Sequence, residues 1–454
     1  MKNILAETIS GVSSLIREKE VSPVDITKTI LNEIERKKEN NAFITVSNES
    51  ALSEAKKAEK DIMNGNYKGP LHGVPLAIKD NISVKNTRCT NGSTIYKDYI
   101  SEGDAPVVKR LRSEGAIMIG KTNLDEFANH VTGKNKSYGT IRNPLAFDHS
   151  AGGSSGGSAV SVAENLAYGA LGTDTSGSIR IPAACCGIVG LKPSYNLIPA
   201  IGATPLSWSL DHMGILSKDC KDLSLLFHSI VPGAKQELPY FEDVIKIDEL
   251  TIGIPENYFF ENLDKTVEAK IRKIIDIFIQ HGARVENIKI PNLKELIDIQ
   301  ETIIKTEAGY YHQSNLDQCK EYYEKDNYDF FNNGLSVSEQ SYKRALAFKQ
   351  EISFGFQRMF SEIDIILTPT LPITTPKLNV EKVTWGKFEE DILNTLSRFT
   401  GPFNVSGLPA LSVPVGSDAK SLPIGLQIVG NMYRENQLIS IGHWIMGKFN
   451  NLEK

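Results

Sequence analysis

The chain has 454 residues, 41% of them hydrophobic and 23% charged, with 50 basic against 55 acidic side chains and a net charge of −5. That is apolar material enough for a large core, and it argues against a disordered, collagen-like or membrane-embedded chain. The near-balanced charge supplies no electrostatic reason to bind nucleic acid or an anionic membrane. At roughly 150 residues per domain the length allows up to three domains, and one large α/β domain fits equally well.

The first forty residues read as two helices. Ser22-Pro23 gives an N-cap followed by proline at the first helical position, and Ile26, Ile30 and Ile34 then recur every fourth residue. Glu7 interrupts the only apolar stretch near the N-terminus, so no signal peptide is readable, and no apolar run approaches the ~18 residues that span a bilayer. Asp104 is expected to cap a short helix ending near Gly115, with Ala116 to Ile119 following as a buried strand. Leu250 to Ile254, Asp264 to His281 and Val285 to Ile290 read as strand, amphipathic helix and strand. Such a unit implies parallel pairing and a right-handed crossover. Asp364 to Leu367, Ala410 to Val413 and Gly425 to Val429 are further strands, the last two close enough to pair antiparallel. The expected fold class is α/β: a twisted mixed sheet sandwiched by helices in one large domain over 1–454, with N-terminal helices in 1–65. A helix-rich insertion over about 294–362 is expected to form a lid or one wall of a cleft.

Five cysteines stand at 89, 185, 186, 220 and 319, with no Cys-x-x-Cys pair among them. An odd count without that spacing points to reduced, mostly buried thiols in a cytoplasmic protein, not to a disulfide framework or zinc site. The eight histidines show no His-x-x-x-His spacing, so neither a metal nor a cofactor is expected.

Most of the chemistry is expected between Ala151 and Gly187. Gly152-Gly153-Ser154-Ser155-Gly156-Gly157-Ser158 opens a helical run, and Thr173-Asp174-Thr175-Ser176-Gly177-Ser178 follows a short strand at Ala170 to Gly172. Glycines let backbone N–H groups approach a ligand and converge on one point, and the first turn opens a helix whose amino end favours a developing oxyanion. A P-loop reading fails because Ser158 stands where lysine is required. A nucleophile-elbow reading of Gly152-x-Ser154-x-Gly156 fails because residues 145–149 make no buried strand. Ser53-x-x-Lys56 matches the β-lactamase pattern only by chance, lying in a charged helix with no Lys-Thr-Gly downstream. Upstream, Lys79 ends the apolar run Gly73 to Ile78. It is either a strand-end lysine reaching for water or a desolvated base with a pKa near neutrality, and sequence alone leaves both open.

Together these segments resemble the amidase signature family of serine amide hydrolases. The likeness covers most of the chain and is strongest from Gly73 to Ser194. It rests on the Lys79 segment, Gly120 to Phe127, the Gly152–Ser158 turn, Gly172 to Cys186, Gly407-Leu408-Pro409-Ala410 and Pro423-Ile424-Gly425-Leu426-Gln427. The resemblance implies Ser178 as nucleophile, Ser154 in a cis peptide as proton relay and Lys79 as base, with an acyl-enzyme intermediate. It implies an oxyanion hole from the backbone N–H groups of Thr175, Ser176, Gly177 and Ser178. Asp174 and Arg180 are expected to brace the loop, and Asn129, His130 and Ser155 to stand near the substrate, Ser155 either hydrogen-bonding the triad or capping the helix.

One branch of that family, the glutaminase chain of the tRNA-dependent amidotransferase, hydrolyses glutamine and passes ammonia to partner subunits. Aligned on the Pro402 and Pro369 segments, Ser397 falls where that branch binds the glutamine ammonium through aspartate, and Lys349 where it binds the carboxylate through arginine. Asn129-His130 replaces a methionine–glycine pair. These departures favour a stand-alone amidase acting on a small-molecule linear amide, alone or as a homo-oligomer, with the glutaminase chain of the amidotransferase as the alternative. A non-enzymatic scaffold and a cysteine-dependent hydrolase are the remaining readings.

Overall fold

The computed structural model describes residues 4–233, 245–290 and 292–452; residues 1–3 of the N-terminal segment lie outside that range. Helix Pro23–Arg36 starts as its sequence dictates, with the Ser22 hydroxyl accepting from the N–H groups of Val24 and Asp25, and it buries Ile26, Ile30 and Ile34. Asp104 does not cap the next helix. Ala105 precedes Pro106–Ser113 without a side-chain cap, while the Asp104 carboxylate accepts from the Lys85 N–H and pairs with Arg112. A carboxylate with a guanidinium in reach forms the stronger, charge-assisted bond.

Eleven strands form one mixed sheet among the described residues. From one edge the order runs Phe43–Val46, Ile117–Thr122, Pro75–Lys79, Gly169–Asp174, His212–Ser217 and Val189–Lys192. It continues Ala410–Ser417, Pro423–Gly430, Ile365–Pro369, Thr251–Pro255 and Arg284–Ile288. The expected strand–helix–strand unit is present as Thr251–Pro255, Lys265–Gln280 and Arg284–Ile288, with parallel pairing. Ala410–Ser417 and Pro423–Gly430 pair antiparallel, as their spacing indicates. Phe43–Val46, which the sequence leaves inside a helical region, adds an edge strand antiparallel to Ile117–Thr122.

This order sets the site. Pro75–Lys79 lies between Ile117–Thr122 and Gly169–Asp174, parallel to both, with every residue buried. Lys79 therefore ends a central strand, beside the Thr173 end of its neighbour. Three helices at Leu293–Gln318, Lys325–Gly334 and Glu339–Met359 make up the insertion. They build a second apolar cluster around Phe259, Phe331, Phe399 and Phe403, separate from the main core on the sheet. Glu307 ties them to the preceding loop: it accepts from the hydroxyls of Ser207, Ser209 and Tyr342. Among the described residues no helix is long and apolar enough to cross a membrane.

Candidate active site

Two loops meet at the end of the central strands. The turn 152–155 leads into helix Gly156–Ala163, and the chain returns along Gly169–Asp174 into the loop 175–179. The Ser155 N–H donates to the Ser178 carbonyl at 3.1 Å, which stitches the two serine-bearing turns together. Gly157 packs against the backbone of Ala42 and Asn123, an approach that leaves no room for a Cβ. The Gly153–Ser154 peptide is cis.

Lys79 is fully buried, and its Nζ donates to Ser154 Oγ at 2.7 Å and to Thr173 Oγ1 at 2.9 Å. Burial pulls the ammonium pKa down to about 7, against the nearby carboxylates of Asp125, Asp174 and Asp211, which raise it. Of the two sequence readings the buried amine is the one found, because a central strand offers no path for the side chain to water. Ser154 and Ser178 are both buried.

The loop 174–180 is held by a buried ion pair. Asp174 and Arg180 are both fully buried, and the guanidinium reaches both carboxylate oxygens, at 2.9 and 3.0 Å. Burial opposes ionisation of Asp174, but the Arg180 charge prevails and holds the carboxyl well below its usual range. Arg180 also donates to Asn404 Oδ1, Gln427 Oε1 and the Thr400 carbonyl. Asp174 accepts from the N–H groups of Gly177 and Ile179. The pair thus braces the loop, and of the loop N–H groups that of Gly177 already serves Asp174. Among the described residues, those of Thr175, Ser176 and Ser178 make no such bond.

Ser155 is engaged by the neighbouring strand. Its hydroxyl donates to the Thr173 carbonyl at 3.1 Å and accepts from the Thr173 N–H, and the side chain is fully buried. It joins turn to strand, and it makes no side-chain cap on helix Gly156–Ala163. Asn129 and His130 do line a cavity of about 300 Å³, together with Ser176, Gln300 and Ser397. Gln300 lies on the first insertion helix, so the insertion forms one wall. Lys349 is elsewhere, its ammonium 4.9 Å above the Tyr195 ring. A second cavity, about 240 Å³, is lined by Asn81, Thr173, Thr175, Trp208 and Asp211.

Asp125 and Asp211 are buried acids that sequence reading passed over. Burial raises Asp125 to about 6 while it accepts from the Gly133 N–H. Asp211 is raised by burial to about 7 and accepts from Thr175 Oγ1 at 2.6 Å and from the N–H groups of Leu206 and Ser207. Asp125 lies inside a segment that carries the family resemblance, which was the available signal; Asp211 had none. Cys185 and Cys186 are buried, and burial pushes the Cys185 thiol up to about 12 and Cys186 well above its ordinary value. A thiol so hard to ionise is a poor nucleophile. No cluster of three or more potential metal ligands occurs among the described residues.

The family model described as Amidase matches residues 25–439. The A-type subunit of glutamyl-tRNA(Gln) amidotransferase from Lachnospira eligens is 34% identical over 481 aligned positions, covering 97% of this chain and 98% of its own. A solved amidase superposes with a TM-score of 0.91 at 29% identity, over 97% of this chain and all of that one. The 6-aminohexanoate cyclic dimer hydrolase superposes with a TM-score of 0.87 at 26% identity, over 98% of this chain and 97% of that one. The chain belongs to the amidase signature family of amide hydrolases.

Proposed function

We propose that the protein hydrolyses a carboxamide through an acyl-enzyme on Ser178, with Ser154 as proton relay and Lys79 as base. The observation that carries this reading is the 2.7 Å contact between a fully buried lysine amine and Ser154 Oγ. A lysine with a pKa of about 7 is in large part neutral at neutral pH and can accept a proton. Ser178 Oγ attacks the carbonyl carbon, and its proton passes through Ser154 to Lys79. The oxyanion faces the N–H groups of Thr175, Ser176 and Ser178, each such donor being typically worth ~3 kcal/mol. The C–N bond then breaks as the proton returns through Ser154 to the departing nitrogen, and water releases the acid by the reverse relay.

On the substrate, the curated relatives weigh toward glutamine and toward service as the glutaminase chain of an amidotransferase with partner subunits, ahead of the stand-alone amidase that the sequence departures favour. The stand-alone reading keeps one specific support. Neither lysine nor arginine lines the cavity that holds Asn129, His130 and Ser397, so a glutamine carboxylate entering it meets no fixed cation. An unpaired buried charge typically costs about 3–5 kcal/mol, some hundreds- to thousands-fold in kcat/KM. Ammonia release from glutamine, with and without the partner subunits of an amidotransferase, against release from a neutral carboxamide decides between the two. Glutamine turnover that rises with partners establishes the amidotransferase reading. At least ~100-fold preference for the neutral amide establishes the other.

A further inference from the structure

A trans peptide points its C=O and its N–H in opposite directions, so a group that holds the carbonyl also aims the N–H of the next residue. The peptides after Asp174 are trans, and four successive carbonyls there are held. Asn404 Nδ2 donates to the Asp174 carbonyl at 3.0 Å and Gln300 Nε2 to that of Thr175 at 3.3 Å. Thr400 Oγ1 donates to the Ser176 carbonyl at 2.5 Å, and the Ile181 N–H to that of Gly177 at 2.8 Å. Asn404, Gln300 and Ile181 thereby aim the N–H groups of Thr175, Ser176 and Ser178, the three donors assigned to the oxyanion in the proposed reaction. Gln300 alone of these three comes from the insertion, on helix Leu293–Gln318. It is 8% exposed, and Gly401 gives it room: a Cβ there would stand 2.3 Å from Gln300 Oε1.

The same helix reaches Thr175 a second time. Thr175 Oγ1 donates to Asp211 Oδ1 at 2.6 Å, and the Leu206 and Ser207 N–H groups fix that carboxylate at 3.0 and 3.1 Å. Ser207 Oγ in turn donates to Glu307 Oε2 at 2.7 Å. Glu307 is fully buried and stands two turns beyond Gln300 on one helix face. One route from that face ends on the Thr175 carbonyl and the other on its hydroxyl, so the residue is held from both sides.

We propose that Gln300 and Glu307 are positioning residues for the reaction, acting through Thr175 to aim the Thr175 and Ser176 N–H groups at the oxyanion. The inference rests on Ser178 being the acyl-forming residue and is independent of which amide is the substrate.

The test is the rate at which an alkyl fluorophosphonate modifies Ser178 in the full-length protein, followed by mass spectrometry. Ser178 Oγ bonds to phosphorus, fluoride leaves, the proton passes through Ser154 to Lys79, and the phosphoryl oxygen takes the oxyanion's place. One oxyanion donor typically carries about 10²–10³-fold in rate, so Gln300→Met, which keeps the length and loses the donor, is expected to slow modification about tenfold or more. The apparent pKa of that rate, near 7, is expected to stay at its parental value, because the base is untouched. Thr175→Val is expected to lose about tenfold and Thr175→Ser to stay within about threefold of the parent, with unchanged far-ultraviolet spectra. Glu307→Gln is expected to slow the parent, yet to add less than about twofold in the Thr175→Val background, since its route ends on the missing hydroxyl. Parental rates in Gln300→Met or Thr175→Val, a pKa that moves with the rate, or a Glu307→Gln effect that survives intact beside Thr175→Val would overturn the inference. If Gln300→Met does not fold, the contrast between Thr175→Val and Thr175→Ser decides alone. A parent left unmodified at Ser178 removes the proposed nucleophile and this inference with it, whereas a modified parent with equally reactive variants overturns the inference only.

Discussion

Replacing Lys79 by methionine separates a neutral base from a structural cation. Free lysine titrates near 10.5, and burial brings Lys79 to about 7. A lowered lysine pKa means the native state disfavours the ammonium, so at neutral pH the unfolded chain binds more protons than the folded one. By linkage the folded state is then penalised by about 4 kcal/mol at pH 7, and by only about 2 kcal/mol at pH 9, where the unfolded lysine also begins to lose its proton. Native stability arising from this group thus increases with pH between about 7 and 10.5, and below about 7 the penalty is constant. Methionine has similar length and no charge, so Lys79→Met removes the penalty. It also deprives Ser154 Oγ and Thr173 Oγ1 of their donor, at about 1–3 kcal/mol. The net expectation at pH 7 is a variant without activity that is more stable than the parent by about 1–3 kcal/mol. Its advantage shrinks by about 2 kcal/mol when both are unfolded in urea at pH 9. If Lys79→Met instead loses 3 kcal/mol or more at pH 7, with a gap that ignores pH, the lysine is a charged partner of Asp125 and Asp174 and the base assignment is wrong.

The same lysine predicts that kcat/KM rises with pH through an apparent pKa near 7, and that Lys79→Arg stays inactive because a guanidinium cannot accept a proton there; substantial activity of that variant would exclude the base role. A fluorophosphonate should modify Ser178, and Ser178→Ala should fall to background activity with an unchanged melting curve; mass spectrometry locating the adduct on Ser154 or Cys186 would reverse the assignment. Arg180→Met leaves the fully buried Asp174 carboxylate unpaired, so a loss of about 3–5 kcal/mol in denaturant unfolding is expected, and a loss under 1 kcal/mol would show that the loop is braced otherwise. Gly157→Ala drives a methyl into the carbonyl of Ala42 and the backbone of Asn123, and should leave little folded protein on expression; a soluble variant of near-parental melting temperature would contradict the packing at that turn.

Sequence by itself determined the local grammar of this protein. Ser22-Pro23 had to open a helix, the segment from Leu250 to Ile290 had to give strand, helix and strand, and the two serine–glycine turns announced backbone free to meet a ligand. Each is readable because its cause lies within a few residues: a cap, a period, a missing Cβ. Lys79 shows where that reading stops. A lysine closing an apolar strand has the same neighbours in sequence whether it reaches water or not, and only the strand's central place, between Ile117–Thr122 and Gly169–Asp174, buries the amine. Asp104 shows it too: its carboxylate goes to the Lys85 N–H and to Arg112 on the helix itself, in place of the cap. Asp211 had no local signal, since its pKa is set by a desolvation that no window of sequence contains. Tertiary structure alone divided the space around the Ser178 loop into two cavities, and it placed Ser397 in one while setting Lys349 over Tyr195 outside it. The residue types at Lys79, Ser154 and Ser178 follow from short motifs, whereas burial, charge state and the shape of the cavities depend on which distant segments the sheet order brings together.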